Sequence, residues 1–223
     1  MNLNLEQFTD LAQAGYNRIP VSREVLADMD TPLSAYHKLA AGPYSYLFES
    51  VQGGEKWGRY SIIGLPCQTV LKVFDEAITV EHDGKIIEQA SMADPLVFVE
   101  QFQQRYRAPE LAGLPTFFGG LVGFFAYDTV RYVEPKLKAS MPDDELSTPD
   151  ILLMVSEQVL VFDNLAGKIH IISHADPSAE TAETLEQRAA LALQRATDRI
   201  DELAVKLPML AEPLPTIGPA GVQ

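Results

Sequence analysis

Four segments of the chain repeat apolar residues at the spacing of an amphipathic helix. Residues 5–14 place Leu5, Phe8 and Leu11 on one face. In residues 31–41, Thr31 is the predicted N-cap and Pro32 the first helical residue. Residues 94–107 open with an Asp-Pro pair. A long surface helix is predicted to begin at Pro177-Ser178, and its apolar stripe consists of Leu185, Ala189, Leu193, Ala196, Ile200, Leu203 and Leu207.

Between these helices the pattern changes to short β-rich runs that predict strands. They are residues 44–51, 59–64, 68–74, 77–81, 85–88, 150–162 and 168–174. Asp83-Gly84 lies between two of them and is typical of a tight hairpin turn. The first five runs are predicted to form an antiparallel meander. The run at 150–162 is predicted to be one strand, joined to the last by residues 163–167.

The apolar run at residues 117–127 contains three glycines among large aromatic residues. Glycine in a strand allows close backbone approach, so the run predicts a buried core strand packed tightly against another layer. Helices and strands in blocks, joined by hairpin turns, favour an α+β fold of mainly antiparallel β-sheet layers covered by helices over a doubly wound fold.

The end of the chain is rich in proline, at positions 208, 213, 215 and 219. Such spacing is typical of a linker and unlike a natural terminus. The sequence is therefore divided into a domain over residues 1–207 and a proline-rich linker over residues 208–223.

Charge and composition exclude several kinds of partner. The 223 residues include 17 Lys and Arg against 31 Asp and Glu, which gives a net charge of −14 at pH 7. This charge disfavours nucleic acid and anionic membrane surfaces. No run is long and apolar enough for a membrane span, and the N-terminus lacks the basic and apolar regions of a secretory signal. We expect a cytoplasmic protein.

The common catalytic motifs are absent, and no catalytic or metal-binding residue is predicted. The chain has no P-loop, G-x-G-x-x-G or G-x-S-x-G motif. Its four histidines lie in three separate places, and His170 and His174 on a predicted strand are interpreted as surface or strand-end residues. Asp143–Glu145 favours a solvated loop over a cation site, and Cys67, the only cysteine, favours a structural role.

Glu49, Ser50 and Arg59 are the candidate binding residues. Glu49 and Ser50 end one predicted strand, and Arg59 begins the next. A carboxylate that pairs with an ammonium group, beside a guanidinium that grips a carboxylate, would suit an α-amino acid. The alternative is a strand end and a structural arginine salt bridge, and spacing alone favours this alternative.

Three stretches resemble the N-terminal region of component I of anthranilate synthases, the chorismate-using enzymes of tryptophan biosynthesis. They are Leu47-Phe48-Glu49-Ser50, residues 53–64 (GGEKWGRYSIIG) and residues 119–128 (GGLVGFFAYD). The similarity runs from about residue 10 to the end of the chain. Phe48 stands where the family usually has leucine, and this change should not disturb a polar site.

The resemblance implies a regulatory portion of a larger enzyme. In this family, the N-terminal region packs on a C-terminal chorismate-binding region that holds Mg²⁺ and converts chorismate and ammonia to anthranilate and pyruvate. The feedback inhibitor tryptophan binds between the two regions, which assigns Glu49 and Ser50, with Arg59 as a further candidate, to its site. A glutamine amidotransferase subunit is the expected partner. We expect the chain alone to be catalytically inactive, with no cofactor of its own.

Two alternatives stay open at this point. One is the large subunit of aminodeoxychorismate synthase, a close relative in folate biosynthesis. The other is a free-standing module that senses an amino acid and has no catalytic partner.

Overall fold

The computed structural model describes residues 3–49, 58–134, 136–137 and 147–209. The helices of these ranges are α1 (Leu5–Gln13), α2 (Pro32–Leu39), α3 (Pro95–Gln104), α4 (Val130–Val133) and α5 (Leu185–Lys206). The strands are β1 (Ile19–Leu26), β2 (Tyr46–Phe48), β3 (Tyr60–Gly64), β4 (Thr69–Phe74), β5 (Ala77–His82), β6 (Lys85–Ser91), β7 (Gly120–Phe125), β8 (Ile151–Ser156), β9 (Gln158–Asp163) and β10 (Lys168–Ala175). The acidic segment 143–145 and residues 210–223 lie outside the described ranges, so the loop and linker assignments stay predictions.

Side-chain caps set the helix starts. The predicted caps are confirmed, because the Thr31 side chain accepts from the Ser34 backbone N–H and Asp94 accepts from the Leu96 N–H. The prediction that the long helix begins at Pro177 is wrong, since residues 177–179 form a single 3₁₀ turn. The helix begins at Leu185, where a reciprocal capping box joins Thr184 and Gln187.

The first sheet has the strand order β1-β10-β9-β3-β2, and every described pair in it is antiparallel. Helices α1, α2 and α5 cover one of its faces. The core between them includes Phe8, Ile19, Ile63, Leu65, Leu160, Phe162, Ile169, Ile171, Ala189, Ile200 and Leu203. Strand β1 was not predicted, and it pairs along its whole length with β10.

The second sheet has the strand order β6-β5-β4-β8-β7 and is also antiparallel. Helix α3 covers one face by packing Phe98 and Phe102 against strand residues such as Ile78 and Ile151. The predicted hairpin between β5 and β6 is confirmed. Asp83 and Gly84 both have positive φ, 49° and 72°, as the mirror-image hairpin turn requires.

The prediction of one strand over residues 150–162 is wrong. Strand β8 ends at Ser156 in the second sheet, and β9 begins at Gln158 in the first, so the chain changes sheets at Glu157. The predicted five-strand meander is likewise divided, because β2 and β3 belong to the first sheet and β4–β6 to the second. Hydrophobic periodicity identifies a strand without indicating which sheet it joins.

The remaining faces of the two sheets share a cluster of side chains. Tyr46 of β2 packs with Val70, Val122 and Met154 of the second sheet, and we call this set the inter-sheet cluster. The Tyr46 hydroxyl lies 2.8 Å from the Ser156 hydroxyl at the end of β8. Two antiparallel sheets covered by helices confirm the predicted α+β fold class. None of the described helices combines the length and hydropathy of a bilayer span.

Candidate ligand site at the open end of the inter-sheet cluster

Glu49 lies at the end of an edge strand. Strand β2 has three residues and pairs with β3, with Phe48 opposite Ile62. Glu49 follows Phe48 directly and is exposed to solvent. Ser50 and the motif residues 51–57 lie outside the described residues, so the role of Ser50 stays a prediction. Within the described residues, Glu49 takes part in no ion pair and its carboxylate is open to solvent.

Each sheet presents an exposed aromatic side chain on an edge strand. The ring of Phe48 lies 4.9 Å from that of Tyr46, and Phe48 is 53% exposed. On the second sheet, Phe124 shares a face with buried Val122, because side chains alternate along a strand, and it is 44% exposed. The expectation that residues 117–127 form a wholly buried strand is therefore wrong. Strand β7 is an edge strand, and its second half is uncovered.

Arg59 forms the structural salt bridge that the sequence left open. Its Nε lies 3.1 Å and 3.2 Å from the two carboxylate oxygens of Asp163, and its Nη2 lies 2.7 Å from Oδ2. The Asp163 carboxylate also accepts the backbone N–H groups of Leu165 and Ala166. These hydrogen bonds, led by those from Arg59, lower the pKa of Asp163.

The neighbouring turn fixes the backbone around Arg59 as well. The Asn164 backbone N–H donates to the Arg59 carbonyl at 2.8 Å, and its side-chain amide donates to the Gly58 carbonyl. Arg59 thus anchors the start of β3 to the turn between β9 and β10. Its additional contact with a ligand stays a prediction. Arg59 and Glu49 flank the same end of the β2–β3 pair, so the fold does bring them to one region.

Comparison with known proteins gives the family. The model of the chorismate binding enzyme family matches residues 44–212, which include both sheets except β1 and all three candidate residues. The chain belongs to this family. It matches anthranilate synthase component 1 of Pseudomonas aeruginosa with 58% identity over 205 residues, 92% of this chain and 40% of that protein. The same component of Neisseria meningitidis serogroup B is 45% identical over 208 residues, again 92% of this chain and 40% of that protein.

One solved structure also matches part of the chain. Anthranilate synthase component I from Streptococcus pneumoniae TIGR4 is 27% identical with a TM-score of 0.43, and the match covers 77% of this chain and 36% of that chain. The resemblance to anthranilate synthase component I is confirmed by the sequence relatives. The chain spans about 40% of the length of those two relatives.

Proposed function

We propose that this chain is the N-terminal regulatory portion of an anthranilate synthase large subunit, with part of the tryptophan feedback site at Glu49 and Ser50. The observation that carries the proposal is the position of Glu49, an exposed carboxylate directly after Phe48, whose ring contacts Tyr46 of the inter-sheet cluster. A carboxylate there would accept the ammonium group of an amino acid. The exposed ring of Phe48 would offer an aromatic side chain a surface on which to pack.

The absent remainder of the enzyme is proposed to close this site. Phe124 and Phe125 of β7 are 44% and 52% exposed, which is unusual for neighbouring aromatic residues on one strand. A C-terminal chorismate-binding region packed on them would bury their rings. It would also complete the tryptophan site from the other side. The family resemblance supplies this arrangement, and the exposed rings on the edge strand support it.

Catalysis is assigned to that remainder and not to this chain. Within the described residues there is no group of three or more His, Cys, Asp or Glu side chains that could hold a metal ion. The described residues therefore do not fit the Mg²⁺ that the family resemblance implies. In the complete enzyme, chorismate and ammonia, supplied by a glutamine amidotransferase subunit, would give anthranilate and pyruvate.

The test uses the full-length enzyme that contains this chain. Glu49→Gln removes a charge-assisted hydrogen bond, which contributes about 1.5–3 kcal/mol, so we expect tryptophan inhibition to weaken about tenfold or more. Ser50→Phe should weaken it as well by filling the inhibitor site. Turnover without tryptophan should stay within about twofold of the parent. Glu110→Gln, at an exposed loop position, is the matched control and should change neither quantity.

Two results would contradict the proposal. Equal loss of turnover and of inhibition in Glu49→Gln would make Glu49 structural. Unchanged inhibition in both variants would remove the tryptophan site from this strand end. The product separates the enzyme from its folate-pathway relative, since aminodeoxychorismate in place of anthranilate would overturn the assigned reaction. Anthranilate formed by the 223-residue chain alone, with chorismate, Mg²⁺ and ammonium, would refute its inactivity.

A further inference from the structure

A cavity of about 180 Å³ lies where the chain passes between the sheets. Its walls include Arg18, Tyr106, Phe118, Ser156, Glu157 and His174. It adjoins Glu157, just before β9, whereas the Arg59–Asp163 salt bridge lies at the end of that strand, six residues later. Since a strand rises about 3.3 Å per residue, Glu157 and Asp163 are about 20 Å apart along the chain. The cavity wall touches the inter-sheet cluster, because the Ser156 hydroxyl lies 2.8 Å from that of Tyr46, but neither Glu49 nor Arg59 lines the cavity.

His174 presents an unused hydrogen-bond acceptor to this cavity. Its Nδ1 lies 3.0 Å from the carbonyl oxygen of Glu157, which can only accept, so Nδ1 carries the proton. Burial lowers the pKa of His174 to about 4, and the ring is uncharged at neutral pH. Nε2 then carries no proton, and its lone pair can accept a hydrogen bond. Among the described residues it has no hydrogen-bond donor.

The walls beside this acceptor are flat and apolar. The Phe118 ring stacks on the His174 ring at 5.8 Å with an interplanar angle of 26°. A Cβ atom at Gly119 would stand 2.3 Å from the His174 ring, so only glycine lets the chain pass this close. Tyr106 adds a third ring, with the Arg18 guanidinium 4.7 Å from its centroid.

The charges at the rim favour a ligand without negative charge. Arg18 is paired with both Glu157, at 3.1 Å, and Asp176, at 2.5 Å. Of these three groups only Arg18 and Glu157 line the cavity, and Asp176 lies behind Arg18, so the three together are net negative while His174 is neutral. A carboxylate or phosphate would be repelled unless it displaced one of these partners.

The cavity has room for a small organic molecule. Its volume of about 180 Å³ corresponds to roughly six water molecules. The wall combines polar side chains such as Ser156 and Glu157 with aromatic and aliphatic ones such as Leu121 and Val155. A planar, largely apolar molecule with a single donor would suit such a wall.

We propose that this cavity binds an uncharged aromatic molecule of the size of phenol or indole, whose single O–H or N–H donates to Nε2 of His174. The ring of the ligand packs against Phe118 and Tyr106. All of the described wall residues belong to this chain, and neither Glu49 nor Arg59 is among them.

The experiment titrates the full-length protein with phenol, indole, benzene and benzoate, and follows binding by ligand-observed NMR. We expect saturable binding of phenol and indole, and weaker binding of benzene, which lacks the donor. Benzoate should bind least because of the acidic rim. His174→Phe keeps a stacked ring but removes the acceptor, so phenol binding should weaken about fivefold to tenfold while benzene binding stays the same.

A matched pair of variants keeps the test decisive if His174→Phe does not fold. Ala108 lies at the exposed edge of the cavity, and Ala108→Trp should abolish the binding of phenol and indole by filling it. Ala112→Trp, also exposed but not part of the cavity wall, should leave it unchanged. Glu49→Gln should not affect phenol either. Absence of saturable binding, equal binding of benzoate and phenol, or undiminished binding in Ala108→Trp would overturn the proposal.

Discussion

The stability of the fold should depend on pH through His174. Its pKa is lowered from 6.5 to about 4, mainly because burial disfavours the charged ring. In the unfolded chain the imidazole takes up a proton near pH 6.5, but in the folded chain only near pH 4. The unfolded state therefore binds more protons between these values, and stability falls as the pH is lowered through this window. A pKa difference of about 2.5 corresponds to about 3 kcal/mol of unfolding free energy. This loss of stability is nearly complete at about pH 4.

Urea unfolding between pH 7.5 and pH 4.5 measures this effect. The parent chain should lose most of the 3 kcal/mol contributed by His174, in addition to losses shared with other groups. His174→Phe cannot titrate, so its stability should fall less over the same range by about that amount. His82→Gln, in the exposed β5–β6 hairpin, is the matched control and should keep the parent slope. Equal slopes for the parent and His174→Phe would refute a buried, neutral imidazole at this position.

Three further variants test individual elements by urea unfolding at pH 7. Asp163→Asn should cost about 2 kcal/mol, because it removes the charge that Arg59 meets at the start of β3, and an unchanged midpoint would deny the salt bridge a structural role. Gly64→Ala should cost about 1–3 kcal/mol, since its Cβ would stand 1.9 Å from the Tyr46 ring; full stability would mean that the ring repacks freely. Thr184→Ala should cost about 1 kcal/mol through the lost cap of α5, and no change would place the start of the helix elsewhere.

Local signals predicted the elements whose causes are local. The helix starts at Pro32 and Pro95 follow from capping side chains one residue earlier, and the β5–β6 hairpin follows from Asp83-Gly84. The early start predicted for α5 shows the limit of the same reasoning. Pro177 resembles a helix start, but the capping box at Thr184 determines where the regular helix begins.

Long-range pairing explains what the sequence did not predict. Strand β1 pairs with β10, with Ile19 opposite Ala175. Because β10 lies about 150 residues further along the chain, the residues near β1 give no indication of this partner. The change of sheets at Glu157 does have a signal in the sequence, because Glu157 is the only charged residue between Ile151 and Phe162. A charge within an apolar run of this length is a signal that two strands meet there.

The candidate site also combines residues that a local motif predicted with a contact that depends on long-range strand pairing. Glu49 and Ser50 came from a local motif, and the structure adds that Glu49 is exposed and follows the exposed Phe48 on an edge strand. The two interpretations of Arg59 could not be separated from the sequence. Its partner Asp163 is 104 residues away, and only the pairing of β3 with β9 brings the two together.

Under the proposed function, the two ligand sites should depend differently on a second region of the protein. Next to Glu49, the Phe48 ring contacts Tyr46 of the inter-sheet cluster and is 53% exposed. A ligand bound there would share its surface with any region that covers this ring, so its affinity should rise in the full-length protein. The cavity beside His174, next to Glu157, is lined by residues of this chain. Its affinity for phenol should be the same in the 223-residue chain and in the full-length protein, whereas that of tryptophan should differ. Measuring both ligands in both proteins separates an inhibitor site completed by a second region from a pocket that belongs to this one.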